Sequence, residues 1–100
     1  MRIGKVSDAP LAGFVDVRID RKTIFGNKFP ISLTGSRKES CDRYEAWAFS
    51  RMRKPKSKYR RRILALRQQY LAGAKLRLLC HCYPKRCHGQ TIRKLIMGAS

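Results

Sequence analysis

FVDVRID, from Phe14 to Asp20, sets Val15, Val17 and Ile19 on one side and Asp16, Arg18 and Asp20 on the other. A period of two with β-branched residues predicts a strand. Further along, KLRLLCH (Lys75 to His81) is a short apolar run that predicts a central strand, buried on both faces. Two helical patterns lie between them. Ser36 followed by Glu39 has the spacing of a capping box, and Cys41, Tyr44, Trp47 and Ala48 then recur on one helical face. That helix is expected to stop near Lys54, because Pro55 disfavours helical geometry in the residue before it. The second runs from about Lys58 to Leu71, buries Tyr59, Ile63, Leu66 and Tyr70, and ends at Gly73. GQTIRKLIMGA (Gly89 to Ala99) makes a last helix on Ile92, Leu95 and Ile96.

This order predicts an α/β fold: one small domain over residues 1–100, in two or three layers, with a short, mostly parallel sheet and about three helices. RKTIFGNKFPISLTGS (Arg21 to Ser36), with Gly26-Asn27, Pro30 and Gly35-Ser36, reads as a long ordered loop. If the two strands are parallel neighbours, the loops that follow them emerge at the same carboxyl edge, where open α/β sheets bind ligands. That would bring the Arg18–Asn27 stretch against CHCYPKRCHG (Cys80 to Gly89).

Charge is the dominant compositional signal. The 100 residues carry 24 Lys and Arg against six Asp and Glu, a formal net charge of +18. Glu45 is the last acid, so everything after it is uncompensated. In RMRKPKSKYRRR, the helix-to-helix connection at 51–62, Arg51, Arg53, Lys54, Lys56, Lys58, Arg60, Arg61 and Arg62 stand together. Such a cluster attracts phosphates through charge and counterion release, which makes nucleic acid, DNA or RNA, the expected partner. An acidic host protein surface is the alternative. Tyr59 could stack on a base, although its spacing with Ile63 favours the core. No apolar run approaches the ~18 residues of a membrane span, and the N-terminus has no signal-peptide pattern. A cytoplasmic protein with reduced thiols is expected.

CHCYPKRCHG holds three of the four cysteines and both histidines. Zinc could take Cys80, Cys82, Cys87 and His88, or draw a ligand such as Cys41 from the first half, though the spacing is not the usual C-x2-C. Cys87, between Arg86 and His88 at a helix start, could be a reactive thiolate. The third reading is structural: a small apolar Cys80 at a strand end, a turn shaped by Pro84 and Gly89, and His88 capping the helix or bonding a phosphate. In RIDRKTIFGNKF, Arg18 and Asp20 share the polar face of the strand, and Gly26-Asn27 suits a turn with positive φ. The plain reading is a salt-bridged strand end and a turn anchored by Phe25 and Phe29. The functional one is a pocket floor: Asp20 and Asn27 on a sugar or base, and Arg18 and Arg21 on phosphate.

Three motifs in this order, V-x-V-R-I-D-R-x-T-x-F-G-N-x-F from Val15, G-S-R at Gly35 to Arg37, and L-x-C-x-C-x-P-x-x-C-H-G ending at Gly89, resemble the domain of unknown function 4326 family. The resemblance runs from about Val15 to Ile96 and implies a phage or bacterial origin. Members often carry Pro after the Gly-Asn, Trp between the first two cysteines and Asp after the His-Gly; this chain has Lys28, His81 and Gln90. The resemblance implies the fold and the pocket, not a reaction. The leading expectation is a basic nucleic-acid-binding protein with a pocket of Arg18, Asp20, Arg21, Asn27, Arg37, Cys80, Cys82, Cys87 and His88. An enzyme acting on a nucleotide or nucleic acid there, through Asp20, Cys87 or His88, is the alternative.

Overall fold

The structure, a computed structural model, describes residues 1–81 and 85–98. Three parallel strands form one sheet: β1 (Arg2–Lys5), β2 (Phe14–Arg18) and β3 (Lys75–Cys80), in the order β1-β3-β2. β2 pairs with β3 from Phe14↔Lys75 to Arg18↔Leu79, and β1 pairs with its other side from Arg2↔Arg77 to Lys5↔Cys80. The central, buried position expected for β3 is observed: Leu76, Leu78 and Cys80 are at most 1% exposed. β1 was not legible in the sequence. RIGK has no alternation, and its strand character comes from pairing with a partner at the far end of the chain.

Among the described residues four helices accompany the sheet: α1 (Ile31–Thr34), α2 (Arg37–Met52), α3 (Lys58–Leu71) and α4 (Gly89–Ile96). Three match the expected ones. The short α1 is additional, a single turn set within the long loop and closed by Gly35 at φ 91°. Ser36 caps α2 by accepting from the Glu39 N–H at 3.1 Å, while the Glu39 carboxylate pairs one turn on with Arg43 Nε at 2.8 Å. Ser57 caps α3 in the same way through the Arg60 N–H.

The core explains the layering. Side chains alternate between the faces of a strand. Leu76, Leu78 and Cys80 enter one hydrophobic cluster with Ile19, Tyr44, Ala48, Ile63, Leu66, Ile92 and Ile96. On the opposite face Arg77 is buried, donating through Nε to Asp16 at 2.8 Å and through an Nη to the Ala9 carbonyl at 2.9 Å. The expected facing of β2 holds at Val17 and Ile19, but Val15 is 47% exposed, since β2 is an edge strand. Asp20, placed on a polar face by alternation, is instead buried just past the strand end.

A buried hydroxyl chain locks the loop after β2 onto the helices. The Tyr44 hydroxyl donates to the Phe25 carbonyl at 2.7 Å and lies 2.9 Å from the Tyr59 hydroxyl. Since the Tyr44 proton is committed to Phe25, Tyr59 donates to the Tyr44 oxygen. Tyr59, 2% exposed, is therefore a core residue.

Candidate ligand pocket and basic face

β2 and β3 end side by side, so the segments leaving them meet at the carboxyl edge. There the chain forms a pocket of about 560 Å³. Asp20, Arg21 and Asn27 come from the loop after β2, Arg37 from the start of α2, and His81, Arg86, Cys87 and His88 from the segment after β3. Of the expected pocket residues, Asp20, Arg21, Asn27, Arg37, Cys87 and His88 line it together. Arg18 stands behind Asp20, Cys80 lies in the core beneath Cys87, and Cys82 lies outside the described residues.

Two close approaches join the motifs. His88 Nε2 lies 2.5 Å from the Ile19 carbonyl oxygen. A carbonyl only accepts, so Nε2 carries the proton and the imidazole is the Nε2–H tautomer. Burial, which favours the neutral imidazole, holds its pKa below the ordinary 6.5 against the opposing pull of that hydrogen bond. The ring packs edge-on against Tyr44, centroids 4.9 Å apart. The expected side-chain cap is not made: His88 is the N-cap of α4 by position, but its side chain bonds Ile19, just past β2, instead. The second approach is glycine-dependent. A Cβ on Gly89 would sit 3.0 Å from Ile19 Cδ1 and 3.2 Å from Cys87 Sγ.

Gly26 corrects another expectation. It is not in a positive-φ conformation. Its requirement is space: a Cβ would lie 2.6 Å from the Arg21 Cα and 2.9 Å from the Asp20 carbonyl oxygen. The loop doubles back on itself there. Asn27 then accepts from the Phe29 N–H at 2.8 Å and donates to Ser40 Oγ at 2.9 Å, while Ser40 donates to the Phe29 carbonyl. The amide of Asn27 thus ties the loop to α2.

Asp20 is the acidic centre of the pocket. Its side chain is 3% exposed, and Oδ2 accepts from an Arg18 Nη at 2.6 Å. Burial pushes its carboxyl pKa up, but the Arg18 hydrogen bond and charge outweigh burial and hold it below the ordinary 3.8. Oδ1 is buried with no hydrogen-bond partner among the described residues. His81, which sequence reading noted only as a departure, sits 3.7 Å from Oδ2. Arg37 donates to the Arg86 carbonyl at 3.2 Å, and Arg86 pairs with Asp42 at 3.0 Å, joining the start of α2 to the loop before α4.

The sulfur atoms of Cys80 and Cys87 lie 3.2 Å apart, and the Gly89 N–H points at Cys87 Sγ at 3.4 Å. Cys87 borders the pocket while only 4% exposed. Among the described residues no three His, Cys, Asp or Glu side chains are grouped to hold a metal ion. Cys82, the remaining member of the expected zinc set, lies outside those residues.

A second groove, about 730 Å³, opens on the neighbouring face between the loop after β2 and the α2–α3 connection. Arg21, Lys28, Arg51, Lys56 and Lys58 surround Trp47 in it. Lys28 Nζ lies 4.4 Å from the Trp47 ring centroid and the Arg51 guanidinium 5.5 Å from it. Trp47 was expected in the core; it is half-buried there against Tyr44 and Tyr59, and the rest of the ring faces the groove. Helical periodicity alone does not separate these roles. Lys28, 19 positions upstream, gave no sequence signal of this contact.

All six carboxylates have partners elsewhere: Asp8 accepts from the Lys5 N–H, Asp16 pairs with Arg77, Asp20 with Arg18, Glu39 with Arg43, Asp42 with Lys38 and Arg86, and Glu45 with Lys94. Among the described residues, none of the eight cations from Arg51 to Arg62 is in an ion pair.

The family model described as "Domain of unknown function (DUF4326)" matches residues 7–98. This chain belongs to that family. No curated protein and no solved structure matches it. The three motifs of the sequence occupy physically linked places here: Ile19 and Asp20 directly follow β2, Gly26 and Asn27 shape the loop, Ser36 and Arg37 start α2, and His88 and Gly89 start α4. No helix among the described residues of this DUF4326 member is long and apolar enough to cross a membrane.

Proposed function

We propose that this protein binds nucleic acid through the basic face formed by the last turn of α2, the α2–α3 connection and the first turn of α3. The observation that carries the reading is that, among the described residues, the eight cations of Arg51–Arg62 have no carboxylate partner, while all six Asp and Glu side chains are engaged elsewhere. Ordinary charged faces mix signs; this one does not. Unpaired lysines and arginines around a groove suit a phosphate backbone, and contacts to phosphate position a strand without reading its sequence. Trp47 at the same groove adds an aromatic face on which an unpaired base can stack, a combination typical of single-strand binding.

The test is binding of fluorescent single-stranded DNA, single-stranded RNA and duplex DNA across a range of salt concentrations. Affinity for single strands is expected to exceed that for duplex and to fall steeply as salt rises. Replacing Arg51, Lys56 and Lys58 with Gln should flatten the logarithmic slope by about 0.7 per lost phosphate contact on a single strand. A salt-independent affinity, or no binding at low salt, rejects the reading. Capture of an acidic protein from nuclease-treated lysate, with no oligonucleotide binding, would move the face to a protein partner.

A further inference from the structure

The pocket at the carboxyl edge of the sheet is separate from the basic face in its chemistry, though Arg21 and Asn27 border both. It combines opposite requirements. Arg21, Lys22 and Arg37 line it, and none of them is in an ion pair among the described residues. Buried beside them is one carboxylate, Asp20. Its Oδ2 is held by Arg18, while Oδ1 has no hydrogen-bond partner among the described residues. A buried carboxylate oxygen without a donor is unfavourable, and a ligand that brings one removes the penalty.

The other polar groups of the pocket narrow the choice. Asn27 and Ser40 satisfy each other and the Phe29 backbone, and His88 Nε2–H is committed to Ile19. Arg86 is paired with Asp42, and exposed Ser32 and His81 also line the pocket. What remains are cations suited to a multiply charged anion, the unsatisfied Asp20 oxygen suited to a hydroxyl, and wall from Pro30, Ile31 and Cys41. We infer that this pocket binds a phosphorylated ribose, free or as a nucleoside monophosphate, with a sugar hydroxyl donating to Asp20 Oδ1 and the phosphate among Arg21, Lys22 and Arg37. A phosphate monoester dianion matches the unpaired cations, and the sugar supplies the donor that the ionised ester group lacks. The volume of about 560 Å³ lies within the range of small-molecule sites. The inference does not depend on the polymer binding proposed above.

The experiment is calorimetric titration of the full chain with adenosine 5′-monophosphate, ribose 5-phosphate and inorganic phosphate. Adenosine monophosphate, ribose 5-phosphate or both should bind saturably and more tightly than phosphate. Asp20→Asn should weaken the sugar phosphates about tenfold, as expected for a lost hydrogen bond to a charged group, and leave phosphate unchanged. Because Asp20 is buried, a second variant guards against misfolding: Ser32 is exposed at the rim, and Ser32→Trp should block sugar-phosphate entry while the fold, read by circular dichroism, stays intact. Lys56→Gln with Lys58→Gln should not alter this binding, which separates its failure from failure of the basic face. The inference is overturned if neither sugar phosphate saturates below about 1 mM, if phosphate binds as tightly as both, or if the Ser32 variant binds normally. It is equally overturned if the Lys56/Lys58 variant loses the sugar phosphates.

Discussion

His88 Nε2 donates to the Ile19 carbonyl at 2.5 Å, joining the first motif of the chain to the last across 69 positions. The bond fixes the end of β2 against the start of α4 and closes the floor of the pocket. It also commits one ring nitrogen of a histidine whose sequence context suits a catalytic group, a zinc ligand or a helix cap. Replacing His88 with Ala removes the donor from a buried carbonyl and should cost about 1–3 kcal/mol, read as a shift in urea midpoint with an unchanged slope.

The same histidine should make stability depend on pH. Burial depresses its folded pKa below the unfolded value near 6.5. The unfolded chain therefore takes up the proton first, and stability is complete above about 6.5 and declines as pH falls below it. Asp16, Asp20 and Asp42 have folded pKa values below 3.8, held there by Arg77, by Arg18, and by Lys38 with Arg86. Their contribution is present above that value and lost at still lower pH. Melting temperature against pH should fall in two stages, and His88→Gln should remove the upper one. A wild-type curve flat from pH 7 to 5 contradicts the assignment.

Gly26→Ala should destabilise through overlap with the Arg21 backbone, about 1–3 kcal/mol. Gly13 offers the contrast: it has φ +80° but nothing within 4 Å of a built Cβ. Gly13→Ala carries backbone strain only and should cost about 1 kcal/mol. If the two losses measured by chemical denaturation are equal, the close packing at Gly26 is not what matters.

Tyr44→Phe should leave both the Phe25 carbonyl and the Tyr59 hydroxyl without their partner, at about 1–3 kcal/mol. Tyr59→Phe removes one donor and should cost less. Burial raises both phenols, Tyr59 to about 12 and Tyr44 further still. In a spectrophotometric titration these two of the four tyrosines should fail to ionise before the fold opens.

Trp47 is the only tryptophan, so the fluorescence comes from one side chain that lines the groove and rests on the core. Binding of single-stranded oligonucleotides should quench it, and Trp47→Ala should weaken their binding by about 1–3 kcal/mol. Duplex binding should change much less. Equal losses on both substrates would mean that Trp47 only supports the fold.

Much of this was legible before any tertiary contact was known. Local patterns carried β2, β3 and the three long helices, because period-two alternation, helical spacing and capping residues act over a few neighbours. Cys41, Tyr44, Ala48, Tyr59, Ile63 and Leu66 followed from spacing alone. The meeting of the two loops followed from topology, since parallel neighbouring strands must release their connections at one edge. The net charge of +18 and its concentration after Glu45 were likewise fixed by composition.

Tertiary structure decided what depends on partners distant in sequence. RIGK became β1 because β3 offered a free side, and Asp20 is buried with Arg18 bonded to its Oδ2. Gly26 and Gly89 are required by backbone and side chains packed against them, not by their own dihedrals. Trp47 faces a groove because Lys28 and Arg51 flank it there. Local chemistry sets which elements form; whether a polar side chain is paired, buried or left facing a ligand depends on what the fold brings within hydrogen-bonding distance, often from scores of residues away.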